Sequence, residues 1–487
     1  MRVVLKFLGC MALFISGYMT IPFLVASVTE GENQYAFAGA IFVGVSAGLA
    51  MLYFGRRSTF SKMGAGEVFM SVALTWVTAS AISACAYRFY GAAPTYTDAF
   101  FESMSGFTTT GATIFENPGA LPRCLLTWRA MTHWLGGMGI IALTLVMMPF
   151  AGASGLKMYS AEAPGITHGK ITPRIRQTAL YLWGIYFAFT AALTLLLTLG
   201  GMNFFEALNH SAATVSTGGF SASSAGAASF RNAYCELVII VFMYISGANF
   251  ALHFYAVKNG TLKNYFRDPE FRFYTVAVIG FSILASLSIY FSGAAPSPLP
   301  ALRSGAFQVV SFITTTGFVS SDYDLWPPFA RTLLFICLFP GGCAGSTAGG
   351  IKHIRVLVML RHIKSQISRT LNPRSVPVYP AGDGALEPAA VSSCMAFFGL
   401  FFVVYALSAF AMSLHEPDLL TALSGAASAL GNVGPAFGRL GPMNTFSEQA
   451  WQVKWIYSFL TLCGRLELYT VIALFSGAFR REGIIKE

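Results

Sequence analysis

Apolar stretches long enough to cross a lipid bilayer recur along the whole chain. Three of them are LYLWGIYFAFTAALTLLLTLGG at 180–201, ELVIIVFMYISGANFALHFYAV at 236–257 and VSSCMAFFGLFFVVYALSAFAMSL at 391–414. Each reaches the roughly 20 residues that a helix needs to span the hydrocarbon core. Only 11% of the 487 residues are charged, against roughly 25% in soluble domains. The sequence therefore predicts an all-α polytopic membrane protein.

The N-terminal run from Arg2 to about Val28 is interpreted as the first span. A signal peptide is the alternative. Its apolar core is usually about 7–15 residues long, and no convincing small-residue cleavage site follows this run.

Basic residues are concentrated in the loops at 56–62, 157–176, 258–272 and 352–374, which predicts that these loops are cytoplasmic. The loops between them carry acidic residues and are assigned to the outer face: Glu30, Glu32, Asp98, Glu102, Glu116, Glu206, Asp322, Asp324, Glu416 and Asp418. The net charge of +10 then reflects orientation in the membrane. We expect no nucleic-acid partner, because no basic patch with interleaved aromatic residues is present.

Four polar segments with glycine interrupt the apolar pattern. They read FTTTGATIF at 107–115, TVSTGGF at 214–220, TTTGF at 314–318 and LGNVGP at 430–435. Aligned on Gly111, Gly218, Gly317 and Gly434, they are 107, 99 and 117 residues apart. This spacing predicts an internal fourfold repeat.

A short apolar run of about 12 residues precedes each segment, with Asp98, Asn203, Pro300 and Pro417–Asp418 as signals for the start of a helix. Runs of this length are too short to span a bilayer and fit re-entrant helices. The predicted units are an N-terminal extension at 1–60 and pore repeats at 61–155, 172–260, 270–367 and 388–482.

Four such units around one axis predict a selectivity filter. Extended backbone at membrane depth is tolerated where it lines a water-filled path, and inward carbonyl oxygens can replace the hydration shell of an ion. The short helices end at the filter, so their negative C-terminal ends favour a cation. The predicted potassium-binding residues are Thr110, Gly111, Thr217, Gly218, Thr316, Gly317, Val433 and Gly434.

The chain resembles the TrkH/KtrB family of potassium-uptake proteins, and the TrkH branch in particular. The filter segments match, as do WRAMTHWLGGMGI at 128–140, GGCAGSTAGGIK at 341–352 and GRLELYT at 464–470. The resemblance covers essentially the whole chain. It implies two extra helices at roughly 5–28 and 37–55, ten spans in the inner (cytoplasmic) membrane, and cytoplasmic termini.

The same resemblance implies partners. Such proteins are generally homodimers that bind a soluble, nucleotide-binding regulatory subunit of the TrkA type on the cytoplasmic face. The basic loops at 157–176, 258–272 and 352–374 are candidates for that contact, and attraction to anionic lipid is the alternative.

Three classes of function are compared: a gated potassium pore, a proton- or sodium-coupled potassium symporter, and a membrane enzyme. The enzyme lacks support, because no His, Asp, Ser or Cys groups converge in the spans. The run PGGCAGSTAGGIK lacks the Gly-Lys-Ser/Thr ending of a phosphate-binding loop. The eight cysteines show no metal-ligand spacing, so we expect no metal site and no cofactor, with potassium as the transported ion. The sequence leaves channel and symporter open.

Several charged or titratable residues in or near the spans have two interpretations each. His133 and His253 are packing residues or proton relays, with packing favoured. Asp98 and Glu236 either concentrate cations at the outer mouth or only solvate it.

Arg465 stands within an apolar helix and is a candidate functional residue. It either pairs with Glu467 or backbone carbonyls, or, as the family resemblance implies, lies beneath the filter as an electrostatic barrier to cations.

The second helix of the third repeat is predicted to break. Five glycines follow Pro340 within ten residues, and each costs about 1 kcal/mol relative to alanine in a helix. We predict a mobile intramembrane gating loop formed by Gly341, Gly342, Gly345, Ser346, Thr347, Gly349 and Gly350. A static kink is the alternative.

Overall fold

The computed structural model describes residues 1–29, 31–60, 63–139, 175–223, 232–372, 380–381, 384–385, 388–466 and 468–474. Within them, all regular structure is helical except for one antiparallel pair of two-residue strands, β1 (Pro380–Ala381) and β2 (Gly384–Ala385). The predicted all-α class is confirmed. Most of the predicted basic loop at 157–176 lies outside the described residues, as do Glu30, Lys62 and Glu467.

Three helices precede the first unit. α1 (Arg2–Tyr18) and α2 (Thr20–Val28) together make one apolar span, and α3 (Gln34–Gly55) packs antiparallel to α1. The two predicted N-terminal helices are therefore present, and both begin a few residues earlier than predicted.

Four similar units follow, each with a long helix, a short helix, a polar segment and a second helix. The first comprises α4 (Ala65–Tyr90), α5 (Tyr96–Phe107) and α6 (Arg123–Gly137), and the second α7 (Ile175–Leu199), α8 (Phe204–Val215), α9 (Ala233–Ser246) and α10 (Phe250–Asn259). After α11 (Lys263–Arg267), the third comprises α12 (Pro269–Phe291), α13 (Pro298–Ile313), α14 (Pro328–Cys337) and α15 (His353–Leu371). The fourth comprises α16 (Pro388–Ser413), α17 (Leu419–Gly431), α18 (Trp451–Leu466) and α19 (Leu468–Ala473).

In the described part of the chain, 6 helices are long and apolar enough to cross a membrane, or 7 if the bent pair α9 and α10 is one span. The second helices of the other units, α6, α14 and α18, are shorter. The predicted total of ten spans includes these three helices and stays a prediction.

The stretch 236–257 is not the single helix that its apolar length predicts. It is divided between α9 and α10, which meet at 96°. At the bend, the carbonyl of Gly247 accepts the N–H of Cys343 (2.8 Å), and the N–H of Phe250 bonds to the carbonyl of Gly345 (3.0 Å). Segments from the third unit thus bind the backbone groups that a continuous helix would use for itself, which hydropathy alone does not reveal.

The buried core has two large clusters of apolar side chains. One is built mainly from the first and fourth units and contains Phe107 and Leu430, and the other is built mainly from the second and third and contains Val215 and Ile313. These four residues lie at the last turns of the short helices. The polar segments therefore lie where the two clusters meet.

Candidate functional site

The short helices α5, α8, α13 and α17 are buried over most of their length and end at the polar segments. Asn203 and Asp418 accept backbone N–H groups at the starts of α8 and α17, as predicted. α5 is capped by Thr95, which forms a capping box with Asp98, and α13 follows Ser297. The negative ends of four helices therefore meet at one place.

We call residues 108–111, 216–219, 314–317 and 431–434 the ring segments. Each contains a residue other than glycine in the left-handed region, namely Thr109 (φ 52°), Thr217 (54°), Thr315 (53°) and Asn432 (55°). Two residues later stands a glycine with positive φ: Gly111 (82°), Gly219 (79°), Gly317 (78°) and Gly434 (101°). A strained conformation repeated four times is typical of a functional site.

The four segments touch in a closed order. A Cβ on Gly111 would lie 2.3 Å from the carbonyl oxygen of Gly218, and one on Gly219 would lie 2.0 Å from that of Thr316. A Cβ on Gly317 would lie 2.0 Å from the carbonyl oxygen of Val433, and one on Gly434 would lie 2.2 Å from that of Thr110. The contacts run through the four units in turn and return to the first. Only glycine fits at these positions.

The sequence alignment of the second segment is wrong by one residue. Gly219, and not Gly218, matches Gly111, because two consecutive glycines in TVSTGGF hide which of them takes the positive φ. Gly218 is equivalent to Thr110 in the ring. It lacks space for a side chain for a separate reason: a Cβ would lie 2.2 Å from Nδ1 of His133.

The threonine hydroxyls brace the ring segments. Those of Thr108 and Thr110 are hydrogen bonded at 2.9 Å, and those of Thr314 and Thr316 at 2.8 Å. In the fourth segment, Nδ2 of Asn432 takes this role and donates to Oγ1 of Thr110 (3.1 Å). The amide thus joins the fourth segment to the first.

A loop at 338–352 separates α14 from α15, and all seven residues predicted for the gating loop lie in it. The Thr347 hydroxyl donates to the carbonyl of Val215 (3.1 Å), and the Gly349 N–H donates to Oγ1 of Thr315 (2.7 Å). A Cβ on Gly349 would lie 2.4 Å from the carbonyl oxygen of Gly431. The 338–352 loop therefore lies against the C-terminal ends of the short helices.

Glu270, at the start of α12, holds both this loop and the helix that follows it. Its Oε1 accepts the N–H of Ala344 (2.7 Å) and the N–H of Ile354 in the first turn of α15 (2.9 Å). Sequence reasoning missed Glu270. The only signal was an acidic residue at the beginning of a span, and this is also a common helix-start pattern.

Arg465 on α18 binds backbone carbonyls, which is one of its two interpretations from the sequence. Its Nη1 donates to the carbonyl of Thr347 (2.7 Å), and Nη2 donates to those of Gly136 (2.7 Å) and Gly137 (3.1 Å). The side chain thus connects the 338–352 loop to the end of α6. Its guanidinium is buried beside the loop, since only 9% of the residue is exposed.

Both acidic residues proposed for the outer mouth form ion pairs. Asp98 forms a buried ion pair with Lys454 on α18 (2.6 Å), and Glu236 pairs with Arg303 (2.9 Å). These pairs favour a structural role over the concentration of cations.

The two histidines in the spans are enclosed by packing contacts. Nε2 of His133 accepts the N–H of Phe220 (3.3 Å), and the two rings lie 4.0 Å apart. His253 bonds to the hydroxyl of Tyr265 and to the carbonyl of Ile245 (3.0 Å). Both sets of contacts favour packing over proton relay.

Comparison with known proteins identifies the family. The model of a family described as "TrkH: Cation transport protein" matches residues 34–482. The chain belongs to the TrkH family. It is 36% identical to the Trk system potassium uptake protein TrkH of Escherichia coli (strain K12) over 99% of both chains. It is 31% identical to the Trk system potassium uptake protein TrkG of the same organism, again over 99% of both chains.

A solved TrkH-family structure has the same fold. The crystal structure of the potassium transporter TrkH from Vibrio parahaemolyticus matches with a TM-score of 0.89 at 32% identity, covering 98% of this chain and 99% of that one. This match and the apolar helices identify a multi-pass membrane protein of a transport family. The sequence-based choice of transport over catalysis is thereby confirmed.

Proposed function

We propose that this protein takes up potassium across the cytoplasmic membrane and that the ring segments form its selectivity filter. The observation that carries the proposal is the closed contact of four positive-φ glycines with the carbonyls of their neighbours. Backbone carbonyls at such a ring can replace potassium hydration, and four helix C-termini add negative potential. The relatives named as potassium uptake proteins support the choice of ion.

The proposed ligands are backbone carbonyls of the ring segments. They belong to the predicted residues Thr110, Gly111, Thr217, Gly218, Thr316, Gly317, Val433 and Gly434, with Gly219 added by the corrected alignment. Backbone ligands explain how the fourth segment can carry Asn432 and Val433 in place of threonines.

The 338–352 loop is proposed as the gate. It touches the second, third and fourth units through Val215, Thr315 and Gly431, and Arg465 ties it to the first. A loop in contact with all four units lies across their common axis. Opening requires it to move aside, and the positive φ of Gly341, Gly345 and Gly350 gives its backbone conformations that other residues rarely adopt. Arg465 then contributes both a tether and a positive charge on the path.

The cytoplasmic orientation of both termini, the homodimer and the TrkA-type nucleotide-binding subunit are part of the same proposal. Basic residues on α10, α11 and α15 support a cytoplasmic face there, among them Lys258, Lys263 and Arg369. This face would receive the regulatory subunit or anionic lipid.

Current–voltage recording from the purified protein in a planar bilayer tests the proposal. With potassium on both sides, the reversal potential should follow the potassium gradient. It should stay fixed when a proton or sodium gradient is added, whereas an obligatory symporter would shift it. Equal permeability to potassium and sodium would contradict the selectivity filter.

A further inference from the structure

A buried ion pair lies behind the ring at the boundary of the first and second units. Nε of Arg129 on α6 is 2.9 Å from Oε1 of Glu102 on α5, and the two side chains are 2% and 0% exposed. Burying both charges carries a desolvation cost, and an apolar pair of similar volume is often no less stable. The pair therefore calls for an explanation beyond stability.

Glu102 binds the chain that leaves the first ring segment. Its Oε2 accepts the N–H of Ile114 (2.9 Å), and the Thr113 hydroxyl donates to the carboxylate at 3.0 Å. Nη2 of Arg129 donates to the same hydroxyl (3.1 Å). Both charges thus converge on Thr113, two residues after Gly111.

Arg129 also reaches the second segment. Its Nη1 donates to the carbonyl of Ser221 (2.9 Å), two residues after Gly219, and the guanidinium carbon lies 4.1 Å from the centre of the Phe220 ring. One planar guanidinium therefore binds the same position of two neighbouring segments. A planar fork with fixed donors holds a distance better than a flexible ammonium does.

The corresponding position is held by neutral groups in the fourth unit. The Tyr323 hydroxyl donates to the carbonyl of Ala436, two residues after Gly434 (2.6 Å). Between the fourth and first units, the N–H of Phe446 donates to the carbonyl of Thr113 (2.9 Å). Hydrogen bonds therefore also hold the chain two residues after a ring glycine in the fourth unit. At the boundary of the first and second units, the contact is charged and rigid.

We propose that Glu102 and Arg129 are positioning residues that set the ion specificity of the ring. The inference rests on the proposed filter. By fixing Thr113 relative to Ser221, the pair fixes the distance between the carbonyls of Thr110 and Gly218. A smaller cation such as sodium needs the carbonyls to move inward, and the pair resists that movement. Because the pair has no net charge, its effect on the number of ions entering is small.

The test measures the permeability ratio of potassium to sodium from reversal potentials under bi-ionic conditions in proteoliposome-derived bilayers. Arg129→Lys keeps the charge and loses the fork. We expect the ratio to fall by about tenfold, the effect of losing about one charge-assisted hydrogen bond, while potassium conductance stays within about twofold. Lys454→Gln is the matched control: it breaks the buried pair of Asp98 on the same helix α5, and its other bond goes to the carbonyl of Ser447 outside the ring segments. The control should keep the ratio.

A folded Arg129→Lys protein with the wild-type ratio would overturn the proposal. If that variant does not fold, Thr113→Val decides, because it removes only the hydroxyl that both charges bind. A lower ratio in Thr113→Val then supports the pair, and an unchanged ratio contradicts it. Failure of the filter itself is distinguishable, since the wild-type protein would then show no preference for potassium.

Discussion

The ring segments and the 338–352 loop are both irregular backbone between membrane helices, yet they are held in place by different means. The ring segments hold one another: each glycine lies against a carbonyl of the next segment, with no room for a Cβ. The loop is held by side chains from elsewhere, chiefly Glu270 on α12 and Arg465 on α18. Gly345 is exposed, and most of the loop is buried.

This difference separates selection from gating. A ring closed by backbone contacts cannot change one segment without disturbing the next, so its geometry is suited to distinguishing ions of different size. A loop tied by a few hydrogen bonds can be released when those bonds break, and each charge-assisted bond is worth about 1.5–3 kcal/mol. Substitutions in the ring should therefore change what passes, and substitutions at the tethers should change how often it passes.

The largest effect is expected from Gly317→Ala. The residue has a φ of 78°, and its new Cβ would lie 2.0 Å from the carbonyl oxygen of Val433. Backbone strain and overpacking together amount to about 3 kcal/mol or more. Potassium flux should therefore fall by about a hundredfold, or the protein should lose its preference for potassium over sodium. Isotope flux into proteoliposomes measures this effect.

Gly280→Ala on α12 is the matched control, because a Cβ there meets no heavy atom within 4 Å. It should keep wild-type flux. Normal flux and selectivity in a folded Gly317→Ala protein would remove this glycine from the filter.

The ring was predictable because its signal is local and repeated. Thr-Gly patterns after short apolar runs recur in the units, and five glycines after Pro340 are enough to predict the break in the third unit. The one error of alignment, at Gly218, arose where two adjacent glycines satisfy the same pattern. Backbone dihedral angles were needed to choose between them.

The long-range contacts that hold the loop and the helices in place were not predictable, because their partners are far apart in the chain. Glu270 binds residues 74 and 84 positions away, and Lys454 lies 356 positions from Asp98. The bend at Gly247 likewise depends on bonds to Cys343 and Gly345. No periodicity within one helix carries information about such contacts.

A smaller effect, in the opposite direction, is expected from Glu270→Ala. The substitution removes the acceptor for the N–H groups of Ala344 and Ile354 and so loosens both the loop and the helix that follows it. Open probability in single-channel records should rise by about tenfold, while the permeability ratio stays at the wild-type value. Asp268→Asn is the control, because Asp268 caps the same helix through Phe271 and makes its bond within α12. Unchanged open probability in a folded Glu270→Ala protein would mean that the contacts of Glu270 do not hold the gate closed.

The smallest effect is expected from Arg465, because one of the three carbonyl bonds given above reaches the loop and the other two go to the end of α6. Arg465→Ala should raise potassium flux by about threefold without changing the permeability ratio, since water replaces part of the lost bond. Arg465→Lys separates the two roles of this side chain. A lysine keeps the positive charge but cannot reproduce the planar fork that joins Thr347 to Gly136, so a tether predicts raised flux and a pure electrostatic barrier predicts wild-type flux. If both variants fold and conduct like the wild-type protein, Arg465 is neither tether nor barrier, and the side chains that hold the loop would be those of Glu270 and Thr315.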